Sequence, residues 1–344
     1  MLQTKKLNYM KKFFIIIAVC FPLMSFSQWN YHHSFLIPTY DPWDYYHAVY
    51  NDAIFISSDT GYYCFTVENS SPSSHAENAF YLKKTTNDCV LWNTDFGVSF
   101  TGVHGIALKY FKPYTFFIFW YGGVWFLWKK GNSSWDALST PYNCEGYYDF
   151  FAKDTANYCI LYPENRKLLQ SIYRNDEVRI DTFNTYKPRK IFFPRDTVEV
   201  LLSLAEQSTG YNTIILKFTP STGYNVVYED PSQQLSNLHF PSENVGYVVG
   251  NNGLVLRTND LGSSWVTLNT GFSSKLNSVF FINDSTGYVA GNAGLILKTT
   301  NYGFSWQKQT TQTNLDIGKL FFVNDSVGFF LVDRYLNIIE NTFL

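Results

Sequence analysis

The sequence predicts an all-β protein made of repeated four-stranded sheets, and three observations carry this prediction. Aromatic residues make up 19% of the 344 residues and charged residues only 16%, which favours half-buried strands over solvated helices. Part of the chain repeats at a constant spacing, so that Gly246 and Trp265 return as Gly287 and Trp306. Each repeat contains four strand-like runs separated by turn residues. Four strands in about 41 residues is the period of a β-propeller blade.

The repeat is clearest over residues 235–344. Leu238–Trp265 returns as Val279–Trp306, and a third copy begins at Leu320. One copy reads as apolar runs at 279–282, 288–290 and 295–298, separated by polar or glycine-rich turns, and a fourth run opened by the tryptophan. Degenerate copies extend over residues 46–230. We predict a seven-bladed β-propeller with four-stranded blades, as a single domain over residues 28–344.

The first blade is the hardest to assign. About six strand-like runs crowd between Tyr45 and Val103. An insertion is therefore expected, with the Ser-rich stretch 69–78 as its loop.

The amino terminus predicts a secretory signal peptide over residues 1–27. Lysines precede an apolar run at 13–24, and the small residues of the triplet 25–27 suit cleavage after Ser27. The run is too short to span a membrane. A lipoprotein anchor at Cys20 is the weaker alternative, because Val19 stands where a small residue is wanted. We expect a periplasmic, cell-surface or extracellular protein.

The remaining cysteines would lie in an oxidising compartment. They allow three pairings, which the sequence leaves open, and free buried thiols are the other alternative. No C-x-x-C spacing occurs, so a zinc site is not expected. The four residues are Cys64, Cys89, Cys144 and Cys159.

The last repeat contains only three strands, which would leave an open sheet edge. Residues 27–29 loosely match the Ser-Trp steps at Trp265 and Trp306, where the fourth strand of a blade begins. We infer that the segment from Trp29 to His33 completes the final blade. Such pairing of the two chain ends would close the ring.

A turn motif precedes each repeat tryptophan. Residues 258–265 and 299–306 fit S/T-x-D/N-x-G-x-x-W, and residues 93–100 are a looser third instance. The hydroxyl and the acid or amide can bond turn amides, glycine tolerates positive φ, and the aromatic ring can pack between layers. A structural role is therefore predicted for Thr258, Asp260, Gly262, Trp265, Thr299, Asn301, Gly303, Trp306, Asn93, Asp95, Gly97 and Phe100.

This motif resembles the Asp-box, or BNR, repeat. With the preceding F-F-x-x-D-x-x-G-Y segment, it is similar to the repeat of the photosystem II assembly and stability factor family and its exported bacterial relatives. The resemblance implies a seven-bladed propeller that binds a protein partner. Two segments depart from the pattern, since 128–132 lacks the turn acid and 219–224 lacks the tryptophan.

Enzyme alternatives find less support. Asp-box sialidases need an arginine cluster, an activated tyrosine and an acid, and the arginines here are scattered. A glycanase needs two facing carboxylates, for which Asp149, Asp154, Glu243 and Asp284 are candidates without distinguishing context. The six histidines lack metal-ligand spacing. No catalytic residue, cofactor or metal is therefore predicted.

The sequence indicates only the class of molecule that the protein binds. A net charge of −2 lacks the basic footprint of nucleic-acid binding. The aromatic stretch 116–128 suits stacking on sugars or a protein, although packing between blades is commoner. Two functions remain, a monomeric scaffold for a protein partner and a carbohydrate-binding or carbohydrate-cleaving propeller.

Overall fold

The described residues of the computed structural model are almost entirely β-strands and turns. Up to residue 176, the described residues are Thr60 and the strands whose bounds are given below. From residue 177 onward, they are 177–184, 186–207, 210–311, 313–322 and 328–332. Side chains are described at 60–62, 84, 149–151, 159 and most of 179–332. No helix among these residues is long and apolar enough to cross a bilayer.

Among the described residues, six sheets contain four strands each, and two sheets contain two strands. All neighbouring strands are antiparallel and follow chain order. The two-stranded sheets are β1–β2 (Phe13–Ala18, Tyr31–Ile37) and β27–β28 (Ile317–Phe322, Gly328–Val332). The four-stranded sheets are β3–β6 (Tyr46–Phe55, Gly61–Asn69, Asn78–Thr85, Asn93–Phe100), β7–β10 (His104–Phe111, Tyr114–Trp120, Val124–Lys130, Asp136–Ser139), β11–β14 (Asp149–Ala152, Asn157–Glu164, Lys167–Arg174, Glu177–Phe183), β15–β18 (Tyr186–Arg195, Val198–Gln207, Gly210–Thr219, Gly223–Glu229), β19–β22 (Leu235–His239, Gly246–Gly250, Val255–Thr258, Val266–Leu268) and β23–β26 (Leu276–Phe281, Gly287–Gly291, Ile296–Thr299, Gln307–Gln309).

The first strands of successive sheets lie side by side. β3 contacts β7. In the same way, β11 contacts β15, β15 contacts β19, β19 contacts β23, and β23 contacts β27. This arrangement confirms the all-β prediction and places the sheets as the blades of a propeller-type fold. A count of seven complete blades and a closed ring stay predictions.

Both chain ends contribute strands that lie together. β1 pairs with β2, and β1 also lies against β28. β1 falls inside the predicted signal peptide, and β2 contains the last three residues of the predicted closing segment, which runs from Trp29 to His33. Trp29 and the expected third strand of the last repeat lie outside the described residues.

The first complete sheet differs from its prediction. The six expected runs become four strands of 10, 9, 8 and 8 residues, and the expected loop around 70–77 lies outside the described residues. A register shift between Tyr50 and Asp52 lets two apparent runs continue as one strand, β3.

The hydrophobic core lies between the sheets. All five residues of β20 and all five of β24 are buried, because each sheet is covered on both faces by its neighbours. Continuous apolar strands are the expected result of burial on both faces. The recurring glycine at the start of these strands leaves room for an aromatic ring, since a Cβ on Gly287 would lie 2.3 Å from the ring of Phe281.

Candidate protein-binding surface

The turn at residues 258–265 is closed by side-chain hydrogen bonds. The Thr258 hydroxyl donates to Asp260 Oδ1 at 2.7 Å and accepts from the Gly262 amide at 3.0 Å. Asp260 Oδ1 also accepts from the Ser263 and Ser264 amides, at 3.0 and 2.9 Å. Gly262 has φ +77°, which an L side chain would rarely adopt. Burial opposes ionisation of Asp260, but the hydrogen bonds outweigh it and lower its pKa below the ordinary value.

The turn at residues 299–306 has the same geometry with an amide in place of the acid. Asn301 Oδ1 accepts from the Thr299 hydroxyl at 3.0 Å and from the Ser305 amide at 2.9 Å. Gly303 has φ +83°. We call these two segments, 258–265 and 299–306, the box turns.

The tryptophan that ends each box turn packs into the joint between two sheets. Trp306 meets Phe281 edge to face at a centroid distance of 6.2 Å. Phe281 in turn stacks on Tyr247 of the preceding sheet, with the ring planes 4° apart. Trp265 meets Phe240 in the same way, at 6.1 Å. The box turns therefore anchor aromatic side chains that hold neighbouring sheets together.

The third predicted motif is not a turn. Residues 93–100 form strand β6, so Asn93, Asp95, Gly97 and Phe100 lie in extended backbone. The strand register instead singles out Thr85, which pairs with Gly61 as the box-turn threonines pair with the glycines of β20 and β24. Trp92 follows Thr85 at the same spacing that separates threonine from tryptophan in both box turns, which is the signal that sequence reasoning missed.

Between the sheets β11–β14 and β15–β18, a buried polar cluster takes the place of the tryptophan. The hydroxyl of Tyr224 lies 2.8 Å from Glu199 Oε2 and 3.0 Å from Asp181 Oδ2. Arg179 pairs with both carboxylates, and its guanidinium lies 4.2 Å from the ring centroid of Phe218. Glu199 is fully buried, whereas the Arg179 side chain is 39% exposed.

This cluster brings together an arginine, a tyrosine and two acids, the residue types that a sialidase site requires. Burial, Glu199 and Asp181 together raise the pKa of Tyr224 well above its ordinary value, which is opposite to activation as a nucleophile. Burial would lower the pKa of Arg179, but the two carboxylates outweigh it and raise the pKa. Because these groups satisfy one another, the geometry suits a joint between sheets better than a substrate site.

The glycanase candidates also have structural partners. Asp149 Oδ2 accepts from the Ile191 amide at 3.0 Å, which joins two sheets. Glu243 pairs with Arg195 at 2.9 Å, with both side chains more than half exposed. The carbonyl of Asp284 accepts from a tyrosine hydroxyl at 2.7 Å. Asp154 lies outside the described residues.

Among the histidine and cysteine candidates, the side chains that the structure describes are His239, which is half-buried, and Cys159, which is buried. Within the part of the chain that the structure describes, no group of histidines, cysteines and acids could hold a metal ion. His239 stacks on Phe280 at 4.7 Å and its Nδ1 accepts from the Phe281 amide at 3.2 Å. Burial lowers the pKa of His239 to about 4. Cys159 is a free, buried thiol, and burial followed by Glu199 and Asp149 raises its pKa.

The two most exposed apolar side chains among those described are Phe304, in the box turn at 299–306, and Val266 of β22. Phe304 is 69% exposed, Val266 is 63% exposed and Tyr302 is 42% exposed. The guanidinium of Arg257 lies 5.4 Å from the centroid of the Tyr302 ring, and Arg257 is the cross-strand partner of Val266. We call Val266, Tyr302, Phe304 and Arg257 the rim patch.

The other box turn shows that the fold does not require an aromatic residue at this place. Ser263 is the counterpart of Phe304 in the preceding repeat. Its hydroxyl donates to the Asp260 carbonyl at 2.8 Å and accepts from Lys217 of the preceding sheet at 2.5 Å. Phe304 turns its ring to solvent instead. Exposed aromatic residues beside arginine are the composition that protein interfaces favour.

Comparison with known proteins gives a family match over part of the chain and a fold over most of it. Residues 218–320 match the family described as photosynthesis system II assembly factor YCF48. No curated protein matches the chain in sequence.

The solved structures that share the fold include the following three. The structure described as YCF48 bound to D1 peptide is similar over 87% of this chain and 100% of that chain, with a TM-score of 0.56 and 13% identity. YCF48 from Cyanidioschyzon merolae is similar over 83% and 95%, with a TM-score of 0.52 and 12% identity. The C-terminal WD40 domain of Sif2 is similar over 84% and 97%, with a TM-score of 0.52 and 10% identity. The chain is a β-propeller-type protein that resembles the photosystem II assembly factors, and the match to the model of that family covers residues 218–320.

Proposed function

We propose that this chain is an exported, non-enzymatic scaffold that binds a protein partner during assembly or stabilisation of an envelope complex. The observation that carries the proposal is the rim patch, where Phe304 exposes 69% of its surface on a turn that holds a serine in the preceding repeat. The likeness to a propeller described as bound to a peptide supports the same class of ligand. The partner is a peptide or protein surface with an apolar centre.

The first test copies one box turn onto the other. Phe304→Ser places the residue of the preceding repeat at the exposed position, so the turn keeps its hydrogen bonds. A partner captured from envelope extract is identified, purified and titrated against the wild-type chain and the variant. We expect at least about tenfold weaker binding, because exposed aromatic residues act as interface anchors. Leu315→Ser, at another exposed apolar residue, is the matched control and should bind normally. Equal affinity of Phe304→Ser and the wild-type chain would contradict the rim patch as the binding site.

A carbohydrate ligand is the second candidate, because the exposed rings of Tyr302 and Phe304 also suit stacking on sugars. A glycan array with the same pair of variants separates the two functions. Glycan binding that Phe304→Ser abolishes would favour this second candidate. Release of reducing sugar from a bound glycan would extend it to hydrolysis.

Export has its own test. The apolar run at 13–24 and the small residues before Gln28 support removal of residues 1–27. N-terminal sequencing of the protein recovered from the native envelope should begin at Gln28. A chain that starts at Cys20 and carries lipid would favour the lipoprotein alternative.

A further inference from the structure

An asparagine precedes a glycine in the turn between β20 and β21. Asn252 is exposed and has φ +53°, and Gly253, which follows it, is buried and has φ +67°. The next repeat has the same turn, with Ala293 in place of Asn252 and Gly294 in place of Gly253. The turn geometry therefore does not require the carboxamide of Asn252.

An asparagine followed by a glycine is chemically labile. The nitrogen of the glycine attacks Cγ of the asparagine, the side-chain nitrogen leaves as ammonia, and a cyclic succinimide forms. Water then opens the ring at either carbonyl group, which leaves aspartate or isoaspartate. Glycine favours the attack because it has no side chain to hinder the approach. Asn252 meets both requirements, since its side chain is exposed and a glycine follows it.

The folded chain holds the attacking nitrogen in place. The Gly253 amide donates to the Ser274 carbonyl at 2.9 Å, and the Gly253 carbonyl accepts from the Thr270 hydroxyl at 3.0 Å. The backbone around Gly253 is also closely packed, since a Cβ there would collide with the Phe272 carbonyl oxygen. The peptide cannot turn towards Asn252 Cγ unless these contacts break. The attack therefore needs local opening of the turn.

The turn is fastened to the link between two neighbouring sheets, because residues 269–275 connect β22 to β23. Isoaspartate would carry the main chain through its β-carbon and add one backbone atom beside Gly253. The amide and the carbonyl of Gly253 could then no longer reach Ser274 and Thr270 together. A chain modified here would lose a fixed point between the sheets β19–β22 and β23–β26.

We propose that Asn252 is a site of spontaneous deamidation that the folded link protects. Local opening admits the reaction, and isoaspartate then prevents the turn from closing again. The modification makes a reversible opening of this joint permanent, so it accumulates in chains whose link has opened. It needs no partner and does not depend on the proposed function.

Deamidation in the folded and the unfolded chain tests the protection. The purified chain is kept in mildly alkaline buffer with and without urea, and peptide mass spectrometry measures the modified fraction at Asn252. We expect the reaction to be at least about tenfold slower in the folded chain, because it requires opening. Asn292 precedes an alanine and is the internal reference, which should react slowly in both states. Equal rates in the two states, or no reaction at Asn252 in urea, would overturn the proposal.

The variant Thr270→Val separates protection by the link from protection by folding in general. It removes the hydroxyl that holds the Gly253 carbonyl, so we expect deamidation of Asn252 in the folded chain to be about fivefold faster. Thr311→Val is the matched control, because the Thr311 hydroxyl holds the Gly294 carbonyl in the same way, at 2.7 Å. This control should leave the rate at Asn252 unchanged. The same rate at Asn252 in both variants would show that the link does not protect it.

The effect of isoaspartate on the joint has its own measurement. Chains enriched in isoaspartate, identified by isoaspartyl methyltransferase labelling, are unfolded in urea beside the variant Asn252→Asp. This variant carries the same charge on an ordinary backbone. We expect a lower transition midpoint only for the isoaspartate chain. The same midpoint for both chains would contradict the loss of a fixed point between the sheets.

Discussion

Two joints between neighbouring sheets solve the same packing problem with different chemistry. Between β19–β22 and β23–β26, the rings of Tyr247, Phe281 and Trp306 pack together. Between β11–β14 and β15–β18, the ring of Tyr224 packs on Phe183 at 5.0 Å, and its hydroxyl enters the Arg179 cluster. The first joint is stabilised by burial of apolar area. The second also needs every charged group to keep its partner.

Both joints contain an aromatic ring near the start of the fourth strand of a sheet, whereas the residues of the turn before that ring differ between the two joints. The segment that precedes Tyr224 is shorter than a box turn, yet it delivers a ring to the equivalent joint. A polar joint is less tolerant of single changes, because removal of one partner leaves a buried charge.

A substitution in the apolar joint, between β19–β22 and β23–β26, should lower the stability most. Trp306→Ala removes a ring that packs on Phe281 and leaves a cavity between two sheets. We expect the free energy of unfolding to fall by about 3 to 5 kcal/mol. Urea unfolding followed by fluorescence measures the change. Lys308→Ala, at an exposed residue of β26, is the control and should stay within about 0.5 kcal/mol of the wild-type chain.

A substitution in the polar joint, between β11–β14 and β15–β18, should cause the next largest loss of stability. Glu199→Ala leaves Arg179 and the Tyr224 hydroxyl without their buried partner. Since Arg179 is partly exposed and keeps Asp181, we expect a loss of about 2 kcal/mol, below the range for fully buried pairs. Glu243→Ala removes an ion pair that is exposed on both sides and should cost less than about 0.5 kcal/mol. Similar losses for the two variants would show that the cluster does not stabilise the joint.

His239 should make stability depend on pH. Its pKa is about 4 in the folded chain and 6.5 ordinarily, so the unfolded chain binds more protons between these values. Stability is therefore full above pH 6.5 and falls as the pH drops towards 4, by about 2 kcal/mol at pH 5. His239→Phe copies Phe280 of the next repeat and should remove this part of the pH dependence. Melting curves at pH 7.5 and pH 5 measure it, and parallel losses in both chains would contradict the assignment.

The box-turn acid should show the smallest effect. Asp260→Asn copies Asn301 of the next repeat and keeps the acceptor for the turn amides. We expect a loss below about 1 kcal/mol, because one charge-assisted set of hydrogen bonds becomes neutral. The lowered pKa of Asp260 adds stability above its ordinary value of 3.8, and this stability is lost as the pH falls through the lower folded value. Thermal melting at pH 7 and pH 3 should therefore show a difference that shrinks at the lower pH.

The regular repeats were predictable because their structure is local. The glycines and the box-turn residues recur at the same place in each regular repeat, and each acts within its own turn or strand. The looser motif at 93–100 was misplaced because residue types alone do not show whether a segment bends. The pairing of Thr85 with Gly61 shows its correct counterpart, and this pairing needs the sheet.

The all-β class, the length of the repeat and the residues that form the box turns could all be read from the amino acids alone. Period, turn chemistry and the alternation of apolar residues act over a few residues, so they are visible along the chain. It took the folded molecule to bring Arg179, Asp181, Glu199 and Tyr224 into one joint and to place β1 against β28. These contacts join residues far apart in the chain, and no local pattern encodes which distant residue will pair with a buried charge or which distant strand will lie beside a given strand.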